Sequence, residues 1–500
     1  MSGKPYKFLL GAIAAVLLVG ASALEQQLNH ERDVLGLTRY TELKGAPPVL
    51  ALTTVALGGF RGLISNALWI RANDLQDQDK YFEMVQLADW ITKLEPHFSA
   101  VWIHQAWNMA YNISVKFKDP EDRWRWVQRG IELLRDEGLK YNPHDVLMHR
   151  ELAWFFQHKM GANMDDAQMF YKQSWAHEMN QVFGAEKQPN WEALLDPKTD
   201  DEKQRATLLR EKFKMDPAFM KQVDDTYGPL EWRLPEAHAI YWAARGLEEA
   251  KLNERRIDPD DLITLRRVIY QSMQLSFQRG RMIKVMKGGF ELGPNLAIIP
   301  KVSAAYEQAM KEDQKNRDHI QTAHRNFLRD AVYLLYTYNR MADASRWFKY
   351  LCDTYPDKPL MLNVPTSLPG HVTLDDYALA RLQEEVGDMN QYKTKAVLEG
   401  LVRRAFICLS IDEDEQYLGL DGLAQKVYTR YESKTAEITN RVPIEALSVI
   451  RREVLDNLLT NELPDELAGH LRSVLGLPAP TNTPPAELPP GTEAAVPARP

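Results

Sequence analysis

The chain has 500 residues, of which 45% are hydrophobic and 26% charged, so it is long and apolar enough to bury one large core or several smaller ones. Its 61 basic and 69 acidic residues give a formal net charge of -8, which argues against a general binder of nucleic-acid phosphates. Cys352 and Cys408 are its two cysteines. They support neither a disulfide framework nor a cysteine-based metal site, and we expect two buried free thiols.

The N-terminus carries a targeting pattern over residues 1–26. Lys4 and Lys7 precede an apolar run at residues 8–24, which is short for a membrane span and long for the core of a signal peptide. The small residues at 21–23 leave cleavage open, but we favour an uncleaved signal anchor. Because the lysines hold the N-terminus in the cytoplasm, the rest of the chain is expected outside it. In a bacterium this predicts a single-pass inner-membrane protein whose bulk is periplasmic.

A second apolar stretch, at residues 47–59, has about 13 residues, too few to cross a bilayer comfortably. It predicts a juxtamembrane or packed helix rather than a second span. The glycines at 58, 59 and 62 predict a break in that helix, because glycine costs about 1 kcal/mol relative to alanine.

Apolar residues recur at the helical period through most of the remaining chain, and strand-type alternation is scarce. Tryptophan-rich helices are predicted first, and prolines at 96 and 143 close two of them. The predicted helices span residues 81–94, 100–117, 124–141, 146–158, 236–252, 260–278, 325–340, 342–355, 377–385, 392–409, 421–431 and 444–459. Residues 183–205 and 284–302 are predicted to be irregular. The fold class is therefore all-α.

One predicted helix has a distinctive spacing of small and aromatic residues. Ala344, Phe348 and Leu351 lie on one face, and Pro356 ends the segment. This order resembles the second helix of a tetratricopeptide (TPR) hairpin, and Ala167, Tyr171 and Ser174 repeat part of it. The resemblance extends to uncharacterised membrane-anchored bacterial members of that superfamily.

The TPR resemblance implies antiparallel helical hairpins stacked as an α-solenoid. The 47 residues between the first two closing prolines depart from the family period of about 34, so the repeats are degenerate. Leu152, Tyr171, Leu335 and Phe348 are expected to be buried between helices.

The predicted organisation has six parts. They are a signal anchor (1–26), a juxtamembrane helical segment (27–80), TPR-like repeats (81–200), a helical continuation with irregular insertions (201–320), TPR-like and C-terminal helices (321–475) and a Pro-rich tail (476–500). The tail has no apolar period and is expected to be disordered, with polyproline II character. A Pro-rich ligand for a partner domain is the alternative.

The sequence has few motifs typical of catalytic, nucleotide-binding or metal-binding sites. The phosphate-binding loop, the dinucleotide-binding glycine pattern and the nucleophile elbow are all missing from the sequence. His144 with His149 and His319 with His324 are each five residues apart, so we interpret all four as surface or cap residues rather than metal ligands. The acidic run at 412–415 lacks the spacing of a calcium loop and predicts a solvated turn. No catalytic, cofactor or metal residue is assigned.

The sharpest site hypothesis lies in the helix predicted over residues 100–117. Asn108 and Asn112 are one helical turn apart, with Trp102, Trp107 and Tyr111 beside them. Asparagines on the inner face of first helices resemble the peptide-binding residues of the TPR family. The partner-binding candidates are therefore Trp102, Asn108, Tyr111 and Asn112. The alternative is that the tryptophans form core and the asparagines pair with neighbouring helix ends.

These patterns favour a membrane-tethered scaffold that binds a protein or peptide in the cell envelope without catalysis. Neither a nucleic acid nor a small-molecule substrate is indicated. The competing hypothesis is an enzyme of unrecognised class with a site among the Trp-rich helices near residues 229–242.

Overall fold

The computed structural model describes residues 60–478, except for 163, 185–187, 253–258, 285–289, 362–363, 387–390 and 436–443, and a few isolated positions between 13 and 31. The protein is predominantly helical, which confirms the all-α prediction. Contacts divide the chain into two compact units. Unit 1 comprises the chain up to Ile113 together with Glu132–Pro143, and unit 2 comprises Ser114–Ile131 and the chain from His144 onward.

Unit 1 is built from three helices and a returning segment. They are α1 (Phe60–Asp77), α2 (Tyr81–Leu94), α3 (Ser99–Trp107) with its π-helical continuation Asn108–Ile113, and the π-helix Leu133–Gly138 with its last turn Leu139–Tyr141. The α1 and α2 helices pack against each other around Ala72, Leu75 and Met84. Asp79, with φ of 57°, makes the turn between them.

Unit 2 holds the remaining helices and a small sheet. Its α-helices are α4 (Pro120–Glu132, apart from its last residue), α5 (Val146–Trp154), α6 (Gln168–Phe183), α7 (Trp191–Leu195), α8 (Asp200–Glu211), α9 (Pro217–Tyr227), α10 (Pro235–Leu252), α11 (Pro259–Arg279), α12 (Ile299–Glu312), α13 (Arg317–Thr337), α14 (Met341–Thr354), α15 (Leu374–Val386), α16 (Gln391–Ser410), α17 (Asp414–Thr435), α18 (Leu447–Asn457) and α19 (Asp465–Val474). Shorter turns are the 3₁₀-helices Ser114–Lys116, Leu296–Ile298 and Gln314–Asn316 and the π-helices Phe155–Gly161 and Leu458–Glu462.

Helices that follow each other in the chain pack together through much of unit 2. This holds for α10 with α11, α12 with α13, α13 with α14, and α16 with α17. The α10 helix also packs extensively on α5, which comes much earlier in the chain. The pairs are helical hairpins, and the α5–α10 contact joins distant parts of the sequence.

A two-stranded antiparallel sheet lies at the start of the segment predicted to be irregular (284–302), with its second strand inside that segment and its first just before it. Strand β1 (Arg281–Lys284) pairs with β2 (Phe290–Gly293), with Arg281 opposite Gly293. A Cβ at Gly293 would lie 2.6 Å from the Ile283 Cδ1 atom, so a larger residue there would have to displace the end of that side chain. The strands are only four residues long, which is too short for a clear alternating pattern.

The predicted core residues are mostly confirmed. Leu152, Tyr171 and Leu335 are at most 2% exposed, whereas Phe348 is only half-buried, with its ring 5.5 Å from that of Tyr377. Both cysteines are free thiols, as expected. Cys408 is buried, but Cys352 is only half-buried, so that part of the prediction was wrong.

Two predicted segments fall largely outside the described residues. Of the signal anchor at 1–26, only Ile13, Val16, Gly20 and Leu24 are described, and all four are helical. Among the described residues, no helix combines the length and the apolar character needed to cross a membrane. Residues 32–59 and the tail from 479 onward are also outside the described residues, and α1 runs from Phe60 through Gly62 without a break.

Candidate functional site

The indole N–H of Trp102 is hydrogen-bonded in the interior of unit 1. Trp102 is 3% exposed, and its Nε1–H donates a hydrogen bond of 2.9 Å to the Pro96 carbonyl oxygen. Its ring stacks on Tyr141, with the two centroids 5.9 Å apart. The Asn142 amide donates to the same Pro96 carbonyl at 2.8 Å, so the turn between α2 and α3 is held from two sides. These contacts favour a structural role for Trp102.

Asn108 also points into the interior. It begins the π-helix that continues α3, and it is 1% exposed. Its Nδ2–H donates to the Tyr81 carbonyl oxygen at 3.3 Å, close to the N-terminus of α2. Its Oδ1 accepts a hydrogen bond of 3.3 Å from the Asn112 amide. The two asparagines therefore form a short chain of hydrogen bonds that ends at the Tyr81 carbonyl.

Three side chains of the predicted site remain accessible. Trp107 is 37% exposed, and Tyr111 and Asn112 are partly exposed. The rings of Trp107 and Tyr111 stack at a centroid distance of 4.2 Å and an interplanar angle of 19°. A stacked aromatic pair beside an amide can take an apolar side chain on the rings and a peptide group on the amide. This cluster of Trp107, Tyr111 and Asn112 is called the aromatic–amide cluster below.

The histidine pairs are split between surface and interior. His144 and His319 are exposed, as expected, but His149 is 3% exposed and His324 is fully buried. The interpretation of His149 and His324 as surface or cap residues was therefore wrong, because helical periodicity turns each inward. No group of three or more His, Cys, Asp or Glu residues in the described parts of the chain is arranged to hold a metal ion.

A buried charged cluster lies near the segment that the enzyme hypothesis singled out. Lys172 of α6, Glu236 of α10 and Arg279 of α11 meet around the carbonyl oxygen of Gly161, the last residue of a π-helix. The Lys172 Nζ donates to this oxygen at 3.1 Å, and the Arg279 guanidinium donates to it as well. The Arg279 Nε lies 3.4 Å from the Glu236 Oε1.

Burial shifts the pKa of both Lys172 and Glu236 toward the neutral form, and the opposite charges in the cluster oppose that shift. Lys172 is fully buried, and burial lowers its pKa to about 8, although the charge of Glu236 opposes the shift. Burial likewise raises the pKa of the Glu236 carboxyl, against the charges of Lys172 and Arg279. Neither carboxylate oxygen of Glu236 has a hydrogen-bond partner among the described residues. Perturbed titratable groups of this kind occur both at active sites and in structural ion-pair networks.

A second polar cluster follows directly in the chain. Asp165 accepts hydrogen bonds from Lys159 at 2.6 Å, Arg123 at 3.1 Å and the Tyr171 hydroxyl at 3.2 Å. Burial alone would raise the pKa of Asp165, but the Lys159 ammonium and the neighbouring backbone N–H hold it below its usual value. Asp165 therefore fixes the turn before α6 and holds Tyr171 on that helix.

The tryptophan of the segment at residues 229–235 is fixed in the interior. Trp232 is 1% exposed, and its Nε1–H donates to the Asp224 Oδ1 at 3.0 Å. The same oxygen accepts the Leu230 N–H at 2.8 Å, and the Trp232 carbonyl is hydrogen-bonded to His238. Asp224 thus anchors the entry into α10, where Pro235 begins the helix.

Sequence reasoning missed the Lys172, Glu236 and Arg279 cluster. The three residues are widely separated in the chain and belong to no local motif. They meet because the π-helix Phe155–Gly161 packs against α6, α10 and α11. No local spacing in the sequence indicates that packing.

Comparison with protein-family models, curated proteins and solved structures finds no match to this chain. The case for its function therefore depends on the residues themselves.

Proposed function

We propose that this chain is a membrane-tethered, TPR-like helical scaffold that holds a protein or peptide partner in the bacterial cell envelope. The tether is the predicted signal anchor at residues 1–26, and the bulk of the chain lies in the periplasm. The helical hairpins stack as a degenerate solenoid. The activity is noncovalent binding.

The observation that carries this proposal is the aromatic–amide cluster at the end of α3. Trp107 and Tyr111 present stacked rings at the surface, while Asn108 supports Asn112 from the interior through their amide hydrogen bond. Partner-binding surfaces concentrate Trp and Tyr, which bury large areas at a small cost in side-chain entropy. We assign recognition to Tyr111 and Asn112, and positioning to Trp102 and Asn108.

The burial of the charged cluster favours this proposal over an enzyme. Lys172 and Glu236 are at most 1% exposed, and the Lys172 ammonium is hydrogen-bonded to Gly161 and Gln168. A substrate would have to displace these contacts to reach either group. We therefore assign the cluster to joining α6, α10 and α11, where breaking a buried ion pair costs about 3–5 kcal/mol.

Affinity purification from detergent-solubilised membranes of the native host tests this function. The tagged wild-type chain should retain a partner, and a Tyr111→Ala, Asn112→Ala double variant should lose most of it. Leu418→Ala is the matched control, because Leu418 is 53% exposed in unit 2 and should leave capture unchanged. Equal capture by all three proteins would remove the aromatic–amide cluster from the binding site.

A further inference from the structure

A pocket of about 340 Å³ lies in unit 2, where α8 packs against both α6 and α7. Its apolar wall consists of Val182, Phe183 and Leu194, which are at most 7% exposed. Its polar rim consists of Asn190, Asp201, Glu202 and Arg205. A volume of this size, with a buried apolar wall and a few polar groups, is typical of sites for small molecules. This cavity is called the α6–α8 pocket below.

Arg205 is held at the α6–α8 pocket by its neighbours. Its Nε lies 2.7 Å from the Asp201 Oδ2, one helical turn earlier in α8. Its Nη1 lies beside Gly184, where a Cβ would be 3.4 Å from that nitrogen. Gly184 ends α6 with a φ of 72°, a conformation that residues with a Cβ rarely adopt. The turn after α6 therefore passes next to the guanidinium group, and the ion pair with Asp201 limits the movement of that group.

The hydrogen bonds at the rim leave donors rather than acceptors for a ligand. The Glu202 carboxylate accepts two backbone N–H groups just before α8, at 2.7 and 3.0 Å. Asn190 uses its Oδ1 to accept the Ala193 N–H at 3.1 Å, and its Nδ2 remains for a ligand. Within the described part of the chain, neither terminal nitrogen of Arg205 is hydrogen-bonded.

The charges at the rim allow an anionic ligand. The Asp201 side chain is 67% exposed and already paired with Arg205, so solvent screens its charge. The charge of Glu202 is balanced by the N-terminus of α8, where it lies in the first turn. A carboxylate can contact both terminal nitrogens of a guanidinium group at once, and such charged hydrogen bonds are roughly twice as strong as neutral ones.

We propose that the α6–α8 pocket binds a small carboxylic acid, with the carboxylate on Arg205 and the apolar body against Val182, Phe183 and Leu194. The pocket shares no residue with the aromatic–amide cluster, which belongs to unit 1. Binding of a small acid is therefore a second activity, beyond the capture of a protein or peptide in the proposed function.

Ligand-observed NMR with the purified full-length chain tests the proposal. The probe is 3-phenylpropionate. Its comparison compounds, 3-phenylpropionamide and 3-phenylpropylamine, have the same apolar body without the negative charge. Saturation transferred from the protein should reach the phenyl protons of the acid. The apparent Kd of the acid should be at least tenfold lower than that of the amide or the amine.

Substitutions separate the two halves of the site. Arg205→Met keeps an apolar stem, removes the guanidinium group and should weaken binding of the acid at least tenfold. Arg205→Lys should weaken it less, because an ammonium keeps the charge but loses the two-point contact. Ala193→Phe narrows the pocket and should abolish binding with Arg205 unchanged. Lys203→Met is the matched control, because Lys203 lies on α8 outside the pocket and its side chain is 58% exposed.

Three outcomes would overturn the proposal. Equal affinities for the acid, the amide and the amine would show apolar adsorption without a carboxylate site. Unchanged binding in both Arg205→Met and Ala193→Phe would place the acid elsewhere on the chain, and no saturation of the acid would remove the site. The comparison of probes uses the wild-type chain alone, so it decides the case even where a variant is unstable. None of these outcomes changes the expected capture of a partner by the aromatic–amide cluster.

Discussion

Two asparagines four residues apart in one helix have different environments. Asn108 is buried and donates to the Tyr81 carbonyl, whereas Asn112 is partly exposed and donates to Asn108. Their spacing predicts that they share one helix face, but it does not predict that one is buried and the other partly exposed. This difference arises because the neighbouring α2 helix covers only the first of them.

Substitution of each asparagine should separate stability from binding. Asn108→Ala removes the amide that donates to the Tyr81 carbonyl and accepts from Asn112, and should lower the free energy of unfolding by about 1–3 kcal/mol. Asn112→Ala should change it by no more than about 0.5 kcal/mol. Urea denaturation of the two variants measures both values. Equal losses would show that Asn112 is also structural.

His324 is the centre of a buried hydrogen-bond network. Its Nε2 is 2.9 Å from the Ser303 Oγ, and its Nδ1 is 2.8 Å from the Tyr355 hydroxyl oxygen. The Ser303 hydroxyl donates to Glu307 at 3.2 Å, which also accepts from Tyr350 at 2.6 Å. Burial lowers the pKa of His324 to about 4. The folded protein therefore keeps this imidazole neutral.

The stability of the protein should depend on pH through His324. The His324 pKa is about 6.5 in the unfolded chain and about 4 in the folded chain, so between these pH values the unfolded chain binds a proton that the folded chain does not bind. The contribution of His324 to the free energy of unfolding is therefore complete above about pH 6.5 and decreases as the pH falls toward 4. His324→Gln removes this titration. The difference between wild type and variant in the free energy of unfolding should shrink by up to about 3 kcal/mol from pH 7 to pH 4. A difference that is independent of pH would contradict the neutral, buried imidazole.

At the scale of helices and strands, the helical period of apolar residues predicted where helices lie, but not where their hydrogen-bonding pattern changes. It predicted residues 81–94 as a helix, and α2 spans Tyr81–Leu94. It also predicted the helices that become α3 and α5, but not their conversion to π-helices at Asn108 and Phe155. A π-turn inserts one residue without changing the local residue types, so periodicity alone does not reveal it.

The α13–α14 hairpin offers a test of the core. Leu335 is 2% exposed, and its truncation to alanine should cost about 2–5 kcal/mol of unfolding free energy. Phe348 is half-buried, so Phe348→Ala should cost less than the roughly 3–5 kcal/mol of a fully buried phenylalanine. Chemical denaturation of both variants gives the comparison. A larger loss at Phe348 than at Leu335 would contradict the observed packing.

At the scale of the whole molecule, composition and periodicity predicted an all-α protein correctly. They did not predict the packing of α6, α10 and α11 on the π-helix Phe155–Gly161, which brings Lys172, Glu236 and Arg279 around Gly161. Tertiary contacts between distant helices decide such clusters, and a single sequence carries no local signal for them. The TPR resemblance stays a prediction, because hairpins alone do not establish a solenoid.

The topology of the chain can be tested independently of binding. We expect a reporter that is active only after export to be active when fused to the C-terminus, because the lysines before the anchor stay in the cytoplasm. Replacing the 8–24 run with a cleavable signal peptide should release the chain from the membrane. An inactive fusion would reverse the orientation, and a mature N-terminus just after Ala23 would remove the anchor.

Site-specific photo-crosslinking in intact cells of the native host tests the central claim most directly. A photoreactive phenylalanine analogue replaces Tyr111 in the aromatic–amide cluster, and Leu418 carries it in a control. The scaffold proposal predicts one discrete crosslinked protein from position 111, lost when Asn112→Ala is added, and none from position 418. Identical crosslinking patterns from 111 and 418, or no crosslink from 111, would contradict it.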